Sequence, residues 1–222
     1  MKISKELVLA SNLALVALLC VQTGCATKGY DRAAAAGTAL QAAADQISET
    51  STQLTTTMDA LNGLVERPQA DLRPQFTAFS SALDKLQSLA KDVDARAKDM
   101  QAKGRDYFTE WNQQLATIHN EDIRTRSAKR QKEVSAKFDA INTDYQKANA
   151  ALTPLLADLQ DVRTYLSNDL TTGGLDAIKK TVTKAGKEVP DLKKSLGKLA
   201  SDFKKLGLSI SATTPPPAPA TQ

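Results

Sequence analysis

Four stretches of the chain place small or apolar residues at alternating steps of three and four. The first runs Ala33, Gly37, Leu40, Ala44, Ile47, Ser51, Leu54, Met58, Leu61, Val65, with Ser51 its one polar member. The second runs from Leu72 through Phe79, Leu86, Val93, Met100, Gly104 and Tyr107 to Trp111, and continues after one slip through Leu115 and Ile118. The third spans Val134 to Leu166 and the fourth Leu175 to Leu206. A repeat averaging about 3.5 residues keeps one seam of a helix facing a partner and drives left-handed supercoiling. Strands would alternate with period two, and no useful run does so. The pattern predicts an all-α fold, an elongated antiparallel bundle of four long heptad-patterned helices.

The breaks fall between the repeats. "ERPQADLRP" (66–74) sets two prolines around a polar turn, and "NDLTTGGL" (168–175) carries paired glycines. Pro154 and Pro190 fall inside helical patterns, where a missing N–H and a steric clash predict a kink or local interruption. The segment 117–134 has neither glycine nor proline. One helix from 72 to 168 would run about 145 Å and leave Tyr107, Phe108 and Trp111 unpartnered. Burying those rings predicts a hairpin. Asn120 would cap its second arm, and Glu121 and Asp122 would suit the positive first turn. Helices two and three, at about 70 Å against about 50 Å for one and four, then project as a hairpin by about 20 Å. The tip would carry Tyr107, Phe108 and Trp111, with Arg124, Arg126, Lys129 and Arg130 facing them.

The N-terminus adds an address. Lys2 and Lys5 precede an apolar run, Leu7–Leu19, that is short for a membrane span of about 20 residues but has the size and flanks of an export signal. Gln22-Thr23-Gly24-Cys25 resembles a bacterial lipobox, departing from it at Gln22, where Leu is usual. That resemblance implies cleavage between Gly24 and Cys25, with diacylglycerol on the thiol and an acyl chain on the new amine. Ala26, rather than Asp, follows, which resembles lipoproteins sorted to the outer membrane. The implied organisation is a signal at 1–24, a lipidated linker at 25–32, a bundle at 33–208 and a Pro-rich disordered tail at 209–222. Cys20 is discarded with the signal, so disulfide, metal and thiol-redox chemistry lose their cysteines together.

The rest of the composition narrows the chemistry. The net charge of +4 on 222 residues implies no nucleic-acid partner. His119 is the single histidine, with no cysteine or second histidine to join it. There is no phosphate-binding glycine loop and no Gly-x-Ser-x-Gly elbow. Carboxylates stand beside Lys and Arg at helix-surface spacings, as solvated faces do. The expectation is a protein without cofactor, metal or enzymatic activity.

Two features keep alternative readings. "RDYFTEW" (105–111) holds the single tryptophan, and its rings either seal the hairpin or form a partner-binding tip. "RTRSAKRQK" (124–132) is either a solvated face or a contact for lipid headgroups, cell wall or an acidic protein. Helix four carries nine lysines against four acids between Asp176 and Leu206; free, it would lie on anionic lipid, but its unbroken seam favours burial.

"YFTEW" (107–111), "RSAKRQKEVSAKFDAI" (126–141), "LTPLLADLQDVRTYL" (152–166) and "NDLTTGGL" (168–175) resemble a domain-of-unknown-function family of helical lipoproteins from Gram-negative bacteria. The resemblance implies the compartment and the helical fold, and brings no activity. The expected function is a non-enzymatic structural, binding or adaptor protein on the periplasmic side of the outer membrane. Its expected partners are the membrane, through the lipid anchor, and an envelope protein or the cell wall. A seam left unfilled would admit a second copy. The alternative is a protein that lays basic amphipathic helices on anionic lipid.

Overall fold

The computed structural model describes residues 29–211, which form four helices and no strand: α1 (Gly29–Glu66), α2 (Arg73–Thr117), α3 (Glu121–Asn168) and α4 (Thr172–Ile210). Consecutive helices are antiparallel neighbours, and α4 closes the ring against α1. The signal, Cys25 and the tail from 212 onward lie outside the described residues. The linker expected over 25–32 is already helical from Gly29, and helix continues through 209–210.

The heptad positions make the core. Leu40, Ile47, Leu54 and Leu61 of α1, Phe79, Leu83 and Leu86 of α2, Leu155, Leu159 and Leu166 of α3, and Leu199 and Phe203 of α4 are all essentially inaccessible. The whole α4 seam from Leu175 to Leu206 is buried, so that basic helix turns its apolar face inward and only its lysines outward. Interhelix ion pairs such as Lys204–Asp45 (3.0 Å), Lys184–Asp158 (2.8 Å) and Lys198–Asp144 (2.6 Å) line the rims of the seams.

Each connection has a local cause. Gln75 donates its side-chain amide to the Gly63 and Arg67 carbonyls (both 3.0 Å) and accepts from the Gln69 N–H, tying the α1–α2 turn. Asn120 caps α3 by accepting from the Ile123 N–H (3.1 Å), and Thr171 caps α4 by accepting from that of Gly174 (3.1 Å). Residues 118–120 are the only break between α2 and α3, so the expected hairpin is present.

Three expectations change. Pro154 and Pro190 do not interrupt α3 or α4, which run through them. Both are on exposed faces, where a carbonyl left without its N–H partner meets water. The polar layer of α1 is not Ser51, which is half-buried, but Thr50, Gln53 and Thr57. Gln53 Nε2 (3.0 Å) and Thr57 Oγ1 (3.1 Å) both donate to the Ala82 carbonyl of α2, across the interface, while Thr50 Oγ1 donates to the Gln46 carbonyl of its own helix (2.9 Å). Finally, α2 and α3 have 45 and 48 residues against 38 and 39 for α1 and α4. At about 1.5 Å per residue their excess is about 10–14 Å, less than the expected 20 Å, because α1 starts earlier and α4 ends later than the seams alone require.

Removing Phe79 by Phe79→Ala should cost about 3–5 kcal/mol in denaturant unfolding. Pro190→Ala should instead stabilise by about 1–3 kcal/mol, since the helix already accommodates the site and gains a hydrogen bond. A destabilising Pro190→Ala would contradict the exposed, uninterrupted helix.

Candidate functional site: the open end of the bundle

Up-down-up-down order brings the start of α1, the end of α4 and the α2–α3 turn to one end. There α1 and α4 touch backbone to backbone. A Cβ added to Gly207 would lie 2.9 Å from the Gly37 carbonyl oxygen, and one added to Gly37 3.0 Å from that of Gly207. Only glycine permits this approach on both helices.

The aromatic residues fill the wider gap opposite. Phe138 of α3 lies across Gly104 of α2, where an added Cβ would fall 2.2 Å from the ring. Phe108 meets Phe138 edge to face, with centroids 5.7 Å apart, and Tyr107 contacts Phe108 and Trp111 at 5.3 and 5.4 Å. Trp111 donates its indole N–H to Ser127 Oγ across the hairpin (3.0 Å). Tyr107, Phe108 and Trp111 are half-buried. Tyr107 and Phe108 are not on the projecting tip as expected: they line the same space as Ala36, Leu40 and Ile210, at the level where α1 and α4 still flank the hairpin, and Trp111 follows one turn further along α2. The space between the rings and α1 and α4 is apolar and about 20 Å³, enough for about one water, while the other side of Tyr107 borders an open hollow of about 370 Å³ with Ala35, Ala36, Lys103 and Asp106.

The basic residues separate by level. Arg124 pairs with Glu121, and Arg126 with Asp122 at 2.9 Å, on the exposed start of α3. Lys129 is exposed. Arg130 donates to the Ser209 carbonyl of α4 (3.0 Å) and stands near Tyr107. Burial pushes the Tyr107 hydroxyl above its ordinary pKa, and the Arg130 charge offsets part of that. His119 is exposed in the turn.

Further down the same hairpin, two polar groups escaped the sequence reading. Tyr145 donates to Asp94 (3.0 Å), and Gln101 to Asn142 (2.5 Å), each joining α2 to α3. Burial first, then the Asp94 bond and charge, push the Tyr145 hydroxyl well above the usual phenol range. Tyr145 falls on the three-and-four step of the third repeat, and its polar tip on an otherwise apolar seam is the available signal. Among the described residues no group of three or more His, Cys, Asp or Glu side chains could hold a metal ion. No helix among them is long and apolar enough to cross a membrane.

An elongated all-helical bundle with an apolar core and both ends of its described residues at one end defines the class. The chain belongs to the family described as Protein of unknown function (DUF2959), which matches it over residues 27–205. No curated protein and no solved structure matches it.

Gly104→Ala should destabilise by about 1–3 kcal/mol, because the Phe138 ring must move, and Phe138→Leu in the same chain should recover part of the loss. Strict additivity of the two in denaturant unfolding would contradict the contact. Tyr145 keeps its proton when folded at a pH where the unfolded chain has lost it. Its contribution is therefore full below about pH 10 and falls as pH rises above that value. Tyr145→Phe should flatten the alkaline decline of the melting temperature; an unchanged decline would contradict the buried hydroxyl.

Proposed function

We propose that this chain is a non-enzymatic lipoprotein of the cell envelope, anchored through Cys25 to the periplasmic face of the outer membrane, where it acts as a structural or binding protein. The observation that carries this reading is the position of Gly29. Only Ala26, Thr27 and Lys28 separate the lipobox cysteine from Gly29, the first described residue of α1. A tether of that length spans at most about 14 Å, so the anchor would hold the bundle by its open end against the bilayer. Acyl chains contribute about 0.8 kcal/mol per buried CH₂, and two or three together give a stable attachment where one does not.

The non-enzymatic reading is supported by how the polar groups are used. The core seams are apolar, the buried Gln53 and Thr57 are spent on a backbone carbonyl, and the surface carboxylates pair with lysines and arginines at helical spacing. What such a rod offers a partner is its length and its ends.

Cells given a labelled fatty acid should incorporate it into the wild-type protein, and the protein should fractionate with the outer membrane. Cys25→Ser should abolish both the label and lipoprotein-type cleavage. Gln22→Leu should speed processing, since it restores the usual lipobox residue. An unlabelled wild-type protein, or label that persists in Cys25→Ser, would overturn the reading.

A further inference from the structure

The hairpin tip and the proposed anchor lie at the same end of the molecule. From the level of Ala36 and Tyr107, α1 runs about 10 Å to Gly29, while α2 runs about 15 Å to Thr117 and α3 about 20 Å from Val134 to Glu121. The α2–α3 turn thus stands roughly 5 to 10 Å beyond the start of α1. That is within the reach of the tether joining Gly29 to Cys25. A bundle held at Cys25 would therefore have its tip within reach of the bilayer surface.

The tip is also built differently from the opposite end. Ile123, in the first turn of α3, is 54 % exposed, the most exposed of the large hydrophobic side chains among the described residues. Leu115 and Ile118 beside the turn are half-buried. Arg124, Arg126, Lys129, Arg130 and Lys132 stand against only Glu121 and Asp122 from 112 to 132. The ion pairs of Arg124 and Arg126 are on exposed surface, where such pairs contribute little and exchange readily for phosphate. An exposed aliphatic side chain on a turn whose basic residues outnumber its acids is the chemistry that meets anionic lipid headgroups.

We propose that the α2–α3 turn rests on the anionic phospholipid surface of the membrane that holds the anchor, with Ile123 entering the headgroup layer and Arg124, Arg126 and Lys129 binding its phosphates. This placement rests on the anchor reading above. It makes the tip a second foot beside the lipid, so that the rod stands on end.

The test uses the full lipidated protein reconstituted into vesicles containing phosphatidylglycerol. With Cys25 acylated, Ile123→Cys supplies a single free thiol for an environment-sensitive fluorophore. Its emission should shift to the blue and be quenched by nitroxide on lipid headgroups, and both effects should weaken in neutral vesicles or at high salt. Exchanging Arg124, Arg126 and Lys129 together for Gln should remove most of the shift. The same label at Gln69→Cys, in the turn at the opposite end, should stay in water. A protein that does not float with the vesicles overturns the anchor and this placement together. A protein that floats while the label at position 123 reports water overturns the placement alone. If that label is in water on vesicles but shielded from thiol reagents in intact cells, the tip belongs to another envelope component, and the lipid assignment is wrong.

Discussion

Short connections between long helices leave no choice but antiparallel neighbours, and an even number of them returns the chain to the end where it began. The segments 67–72, 118–120 and 169–171 are too short to cross the bundle. Every later property follows from that constraint: both ends of the described chain and the hairpin turn share one end, while the other end has only two tight turns. An anchor at the start of α1 would bring the tip within reach of the same surface.

The packing along the rod grades from one end to the other in a way that suits this arrangement. At the far end the seams are filled by Leu, Phe79 and Leu166, with Gln75 and Thr171 closing the turns. In the middle, Gln53 and Thr57 reach the Ala82 carbonyl and Tyr145 reaches Asp94. Each is a polar contact satisfied in one register of its helix pair, since a slid helix would leave buried donors unpaired. At the open end the spacing becomes unequal: α1 and α4 meet at Gly37 and Gly207, while α2 and α3 are separated by Phe108, Trp111 and Phe138. The rings extend the core just past the point where α4 ends, and this supports the two helices that continue as the tip.

The seams and the turns were legible because they depend on residues near one another in the chain. The step of three and four residues located all four helices, and Asn120 with Glu121 and Asp122 located the hairpin without help from glycine or proline. Features that depend on register between helices were not legible. Gln53 and Thr57 are buried where α2 presents the Ala82 carbonyl to both, which no local pattern encodes, and Thr50 is buried with its hydroxyl on the Gln46 carbonyl of its own helix. Gly104 reads in sequence as one more small seam residue, and what demands glycine there is Phe138, 34 positions away, lying over it. Pro154 and Pro190 carry the backbone chemistry of a helix breaker, yet both stand on exposed faces and neither ends its helix. The level of the aromatic rings depended on where α1 and α4 stop, and the heptad count understated both lengths. Cys25 was read from its neighbours in sequence, and it lies outside the described residues.

The central claim is that the bundle stands on its open end at the membrane. Neutron reflectometry of the full lipidated protein on a supported bilayer containing phosphatidylglycerol measures the thickness of the protein layer directly. An upright rod whose longest helix has 48 residues should give a layer about 70 Å thick beginning at the headgroups. A layer only two helix diameters thick, about 20–25 Å, would mean that the bundle lies on its side, and would contradict the account.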